Sequence, residues 1–117
     1  CKANNIRTSI FVDPNTVMIE GAARTGADRI ELYTEEFAAQ YEKGNEKAIE
    51  PYVQCAIIAN ELGLGINAGH DLSLKNIQFF KKNIPNLLEV SIGHALICES
   101  IYFGMENVIK EYLLKLK

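Results

Sequence analysis

Four short β-rich runs alternate with stretches of helical pattern along this chain, and that alternation constrains the fold more than any other feature. The runs are RTSIFV at residues 7–12, RIELY at 29–33, GINA at 65–68 and LEVSI at 88–92. RTSIFV is continuous enough to read as a strand covered on both faces. Asp13-Pro14-Asn15 turns the chain into a helix, with the proline suited to its first turn. Met18, Ile19, Ala22 and Ala23 carry this helix to Thr25, and Gly26 stops it. Residues 34–46 read as a loop with one helical stretch over 37–41. A helix reaching Leu62 follows, with Pro51 in or near its first turn and a buried stripe of Ala48, Tyr52, Cys55, Ala56, Ala59 and Leu62. Ser73 is placed to cap a helix through Ile77, Phe80 and Lys81 that Pro85 forbids from continuing. A short helix from about Ala95 and a terminal one over 105–116 are parted by Gly104.

Strand–helix alternation of this kind implies a parallel sheet with right-handed crossovers. Two closures fit. One is an open doubly wound sheet, nearly complete at 117 residues. The other is half of a (β/α)8 barrel, whose full length is ~250 residues. The extra short helix after the last strand favours the barrel, where such a helix often binds phosphate at its amino end. A dinucleotide fingerprint is rejected, because the run of Gly63, Gly65 and Gly69 breaks its spacing and begins before the strand instead of just after one.

Composition narrows the function classes. Twelve basic and 15 acidic residues, net −3, form no basic stripe, which argues against nucleic acid. No apolar run approaches the ~20 residues of a membrane helix. The first residues, CKANNIRTS, lack signal-peptide regions, and the start at Cys1, directly before a strand, reads as a cut end. Cys1, Cys55 and Cys98 are odd in number and widely spaced, which opposes a disulfide framework and a zinc site and fits a reduced, cytoplasmic setting.

The chemistry concentrates in LGLGINAGHDLS, residues 62–73. Its apolar run delivers Asn67, Gly69, His70 and Asp71 at the far end, where strands of parallel α/β proteins face the active site. Gly69 lets the backbone come close to a ligand, and His70 is a plain candidate for proton transfer. A second Gly-His, Gly93-His94, follows the next strand in the same way and offers backbone N–H groups to a phosphate at a helix amino end. Glu31 is a carboxylate inside an apolar strand. The bland alternatives are that His70 fills a turn and that Glu31 is a structural acid paired with Arg7 or Arg29.

The segments SIFVDP, GADRIELYT, LGLGINAGHDLS and LEVSIGHALI, in this order, resemble the pyridoxine 5′-phosphate synthase family of the deoxyxylulose-dependent vitamin B6 pathway. NAGH with a downstream IGHA is the specific part. The resemblance implies that residues 1–117 are the carboxyl-terminal half of one TIM-barrel domain, its strands 5–8. It implies a transferase-type condensation of 3-amino-2-oxopropyl phosphate with 1-deoxyxylulose 5-phosphate, releasing phosphate and water, with no metal or redox cofactor. His70 would be the proton donor, Glu31 the transition-state stabiliser, and the backbone at Asp71 with Gly93 and His94 the substrate holders. Many members have glycine where this chain has Asp71, so only a main-chain contact carries over there. Some have histidine where this chain has Tyr33, which leaves that ring without an assigned role. The partners implied are small phosphorylated substrates, the amino-terminal half of the barrel and further copies of the chain, an octamer in the family.

Two other functions compete. Another phosphate-binding barrel enzyme, aldolase-like or isomerase-like, needs a strand-borne lysine or a carboxylate pair, and these strands carry no lysine. A non-catalytic half barrel would associate with itself or a partner. Residues 1–117 alone are expected to lack synthase activity and to associate through exposed sheet edges.

Overall fold

The computed structural model describes residues 1–117. Four strands, β1 (Ser9–Val12), β2 (Arg29–Tyr33), β3 (Gly65–Gly69) and β4 (Leu87–Ser91), form one parallel sheet in the order β1-β2-β3-β4. The helices are α1 (Thr16–Arg24), α2 (Glu35–Glu42), α3 (Glu50–Glu61), α4 (Ile77–Asn83), α5 (His94–Phe103) and α6 (Met105–Lys115). Strict sequential order means every crossover advances in the same direction. Right-handed connections then lay all the helices on one face of the sheet. A doubly wound sheet would reverse direction once and carry helices on both faces. The extents of 43 × 36 × 21 Å agree, since the shortest accommodates one layer of helices on one sheet. This is half of a TIM barrel.

The core lies between those two layers. Ile30, Leu32, Ile66 and Ala68 point from the central strands toward the helices and are fully buried against Ile19, Phe37, Ala56 and Phe80. Each large side chain buried in this way contributes about 1.5–3 kcal/mol. A smaller cluster of Ile77, Val108 and Tyr112 seats α6 on α4. The Tyr112 hydroxyl donates to Glu99 of α5 at 2.6 Å. The opposite face of the sheet carries no helix, so the expected coverage of the first strand holds on one side only; Phe11 stays 55 % exposed.

On that bare face a register shift opposite Ile66 and Asn67 leaves Leu88 unpaired and sets Glu89 opposite Asn67 and Ser91 opposite Gly69. Arg29 then donates to Asn67 Oδ1 at 3.0 Å and pairs with Glu89 at 2.9 Å, while Arg7 reaches Glu89 at 3.3 Å.

Element boundaries match the expectations except where a side chain intervenes. β1 begins at Ser9, two residues late, because Thr8 is held by its backbone and hydroxyl to Asp28 Oδ2 at 2.7 and 2.9 Å. Those two bonds hold the Asp28 carboxyl below its ordinary range. Pro14 lies outside α1, not in its first turn. Asn15 is the cap, its side chain accepting from the Val17 N–H at 2.9 Å. α2 takes up eight residues of the expected loop. In α3, Pro51 sits in the first turn and Tyr52, Cys55, Ala56 and Ala59 are buried as expected. Leu62 is not part of that stripe: it follows the last helical residue and is 46 % exposed. Ser73 does not cap α4, which starts four residues later behind Asn76; its Oγ accepts from the Lys75 N–H within the preceding turn.

Candidate active site

Glu31, His70, Asp71, Gly93 and His94 line a single cleft of ≈ 480 Å³ at the carboxyl end of the sheet, together with Phe11, Leu72, Ser91, Ile92 and Ala95. Every residue singled out from the sequence as catalytic or substrate-holding is in it. A larger cleft of ≈ 760 Å³ adjoins it between α2 and α5 and shares Asp71 and Ala95. The smaller one gathers the groups at the strand ends, where a parallel sheet presents its chemistry.

Glu31 stands on β2 and faces the bare side of the sheet. The structure removes its structural reading, since both Arg7 and Arg29 pair with Glu89 instead. Its carboxylate lies over Gly69 so closely that a Cβ there would sit 2.4 Å from Glu31 Oε1 and 3.0 Å from the Ser91 Cβ. Gly69 therefore makes room for the Glu31 carboxylate, a reason different from the close approach to ligand expected of it.

His70 follows β3 in a left-handed conformation, φ 87°, and Asp71 continues it at φ 57°. Residues other than glycine hold such angles at a cost of about 1–3 kcal/mol, so their surroundings must impose them. Thr34 does so from the end of β2. It is fully buried, its N–H reaches the Gly69 carbonyl at 3.0 Å, and its hydroxyl serves the Gly69 carbonyl at 2.8 Å and the His70 carbonyl. Asn76, also buried, donates to the Asp71 carbonyl at 3.2 Å, and Leu72 anchors the segment in the core.

The His70 ring is exposed and has two neighbours. Tyr33 meets it edge-on, with ring centroids 4.8 Å apart. Asp71 Oδ2 lies 3.3 Å from Nδ1. Tyr33 thus acquires a contact that the sequence left open, and its hydroxyl donates to Glu35. Glu35, His70 and Asp71 each offer one atom within 4.8 Å of the others, a spacing that exposed acidic groups often reach without a metal.

The second Gly-His is built differently. Gly93 caps α5, and the first helical bond runs from the Ile97 N–H to its carbonyl at 3.2 Å. The N–H groups of His94, Ala95 and Leu96 are left at the open amino end, where an anion is favoured. A Cβ on Gly93 would meet nothing within 4 Å. The His94 ring turns along its own helix to Cys98, Nε2 to Sγ 3.5 Å.

Sequence reasoning missed Thr34, Ser91 and the Asp71 side chain. A threonine directly after a strand was the available signal for the first, although only the fold brings it to residue 70.

A parallel barrel half that gathers a carboxylate, an imidazole and an open helix amino end at its strand termini has the architecture of a TIM-barrel protein, whose ligand sites lie at that end of the strands. Residues 1–117 match the family described as Pyridoxal phosphate biosynthesis protein PdxJ, and the chain belongs to that family, as its carboxyl-terminal half. It is 70 % identical over 116 residues to pyridoxine 5′-phosphate synthase of Christiangramia forsetii, covering 99 % of this chain and 49 % of that protein. It is 72 % identical over 114 residues to the synthase of Flavobacterium johnsoniae, covering 97 % and 48 %. With the synthase of Bacteroides fragilis (strain YCH46) the identity is 58 % over 107 residues, covering 92 % and 45 %. The chain spans about half the length of the curated relatives it matches. No helix is long and apolar enough to cross a membrane.

Proposed function

We propose that the full-length protein is a pyridoxine 5′-phosphate synthase that condenses 3-amino-2-oxopropyl phosphate with 1-deoxyxylulose 5-phosphate, releasing phosphate and water. The observation that carries this reading is the convergence of Glu31, His70 and the amino end of α5 on one cleft in a chain of this family. Ring closure needs repeated proton transfers between oxygen and carbon, a task suited to an imidazole, which can both give and accept a proton. His70 is the proton donor. Glu31, unclaimed by either arginine, stabilises the cationic character that develops as water leaves. The backbone at Asp71 and the N–H groups that follow Gly93 hold the aminooxopropyl phosphate, with the helix field favouring its dianion. His94 contributes through its main chain, its ring lying along α5 beside Cys98. The remaining substrate contacts come from the other half of the barrel, and the assembly is a cytoplasmic, transferase-type homo-oligomer working without metal or redox cofactor.

Incubating the full-length protein with both substrates and following pyridoxine 5′-phosphate and inorganic phosphate together tests this. Equimolar appearance of both products is expected. Binding of either substrate without ring formation would leave a non-catalytic barrel.

A further inference from the structure

We propose that the side chain of Asp71 is a positioning residue for His70, accepting the proton on Nδ1 and so fixing the tautomer in which Nε2 is the nitrogen open to exchange. This rests on reading His70 as the proton donor. The geometry behind it is unusual for neighbours in sequence. In a helix or a strand, side chains at consecutive positions point apart. Here two successive left-handed residues, φ 87° and 57°, fold the chain back so that Asp71 Oδ2 comes within 3.3 Å of His70 Nδ1. Aspartate, whose short polar side chain can bond locally, is one of the few residues other than glycine found in the left-handed conformation, so position 71 fits the turn and supplies a carboxylate at once. Buried contacts on either side hold the arrangement: Thr34 on the His70 carbonyl and Asn76 on the Asp71 carbonyl.

Which carboxylate does the orienting is also set by the geometry. Glu35 lies in the same trio, but the Tyr33 hydroxyl already donates to it. Asp71 is the carboxylate within ion-pair distance of the ring. Tyr33 packs edge-on against the same imidazole. At 3.3 Å the pair is at ion-pair distance and not a formed hydrogen bond, which would close to ~2.7–2.9 Å. About half of each side chain meets solvent, 51 % for His70 and 46 % for Asp71. Substrate in the cleft displaces that water, which strengthens the pair when proton transfer needs it.

The test is nitrogen-15 NMR of histidine-labelled full-length protein, with the His70 signals assigned by their loss in His70→Ala. In the native protein the neutral ring is expected as the Nδ1–H tautomer. Asp71→Gly keeps the left-handed turn and removes the carboxylate, and it should return the ring to the Nε2–H form that imidazole favours in water. Glu35→Gln should leave the tautomer as it is. An Nε2–H ring in the native protein, or a tautomer that follows Glu35→Gln and ignores Asp71→Gly, overturns the proposal. Turnover separates it from the functional reading beneath. If the tautomer moves and kcat falls about tenfold or more, both stand, the loss of tautomer control in a catalytic triad reaching ~10⁴. If the tautomer moves and kcat does not, Asp71 still orients the ring, and it is the proton-donor role of His70 that fails.

Discussion

The two Gly-His pairs are the same dipeptide after consecutive strands, yet the structure uses them in opposite ways. At Gly69-His70 the glycine is crowded and the histidine side chain is presented. A Cβ on Gly69 would collide with Glu31, and the next residue is held in a left-handed turn that delivers its ring to Asp71 and Tyr33. At Gly93-His94 the glycine is in open space and the exposed histidine ring lies along its own helix. Gly93 caps α5, and the His94 ring lies against Cys98. One pair presents an imidazole at the cleft, the other a helix amino end. Identical letters acquire different chemistry because β3 ends in a forced turn while β4 runs directly into a helix.

The comparison is challenged most severely at His70. Replacing it with alanine in the full-length protein should lower kcat by roughly 10²–10⁴, the scale of a lost general acid, and leave the thermal midpoint close to native because the ring is exposed. Turnover within tenfold of native would reduce the pair at 69–70 to a turn. Gly69→Ala comes next. The added methyl would sit 2.4 Å from Glu31 Oε1 and 3.3 Å from the Ser91 carbonyl oxygen, and only the carboxylate can swing clear. A displacement of that order costs about 10² in rate. A crystal structure of the variant should show Glu31 moved and β3 unmoved.

Gly93→Val sharpens the other side of the comparison. A Cβ at Gly93 would meet no atom of the chain within 4 Å, and the backbone there is not left-handed. The expected cost therefore falls on ligand: affinity for 3-amino-2-oxopropyl phosphate should drop at least about tenfold, or ~1.4 kcal/mol, while deoxyxylulose phosphate binds nearly as before. Equal loss for both substrates would mean that the loop itself has been disturbed.

Much of this was legible before the fold. Alternating runs placed all four strands to within two residues, and the family resemblance pointed to Glu31, His70 and Gly93, which the cleft gathers. What stayed hidden depends on contacts between distant positions. The helix boundaries at Pro14 and Ser73 were misplaced because the caps are Asn15 and Asn76, chosen by where the chain turns in space. Leu62 looked like part of the α3 stripe, and the helix ends one residue too soon for that. Thr34 gave no sign of being tied to residues 35 and 36 positions away. That tie is itself testable. Thr34→Val keeps the shape and removes the buried hydroxyl, so the full-length protein should lose about 1–3 kcal/mol of stability. It should also lose a smaller share of kcat than Gly69→Ala, because the Thr34 N–H still holds the Gly69 carbonyl. Unchanged stability would show that the turn at 70–71 holds itself.

The smallest effect is expected at His94, and it bears on the comparison most directly. If this pair works through its backbone, the ring is dispensable: alanine keeps the N–H, favours the helix, and gives up only the exposed contact with Cys98. His94→Ala should then change kcat/KM by less than about threefold, or ~0.6 kcal/mol. It should also leave the affinity for 3-amino-2-oxopropyl phosphate within the same margin, where Gly93→Val one residue earlier does not. Steady-state kinetics on the full-length variants, run beside His70→Ala, reads the contrast. A loss at His94 comparable to that at His70 would mean that the ring leaves Cys98 and enters the cleft when substrate binds. The two Gly-His pairs would then be equivalent after all, each contributing an imidazole to the reaction.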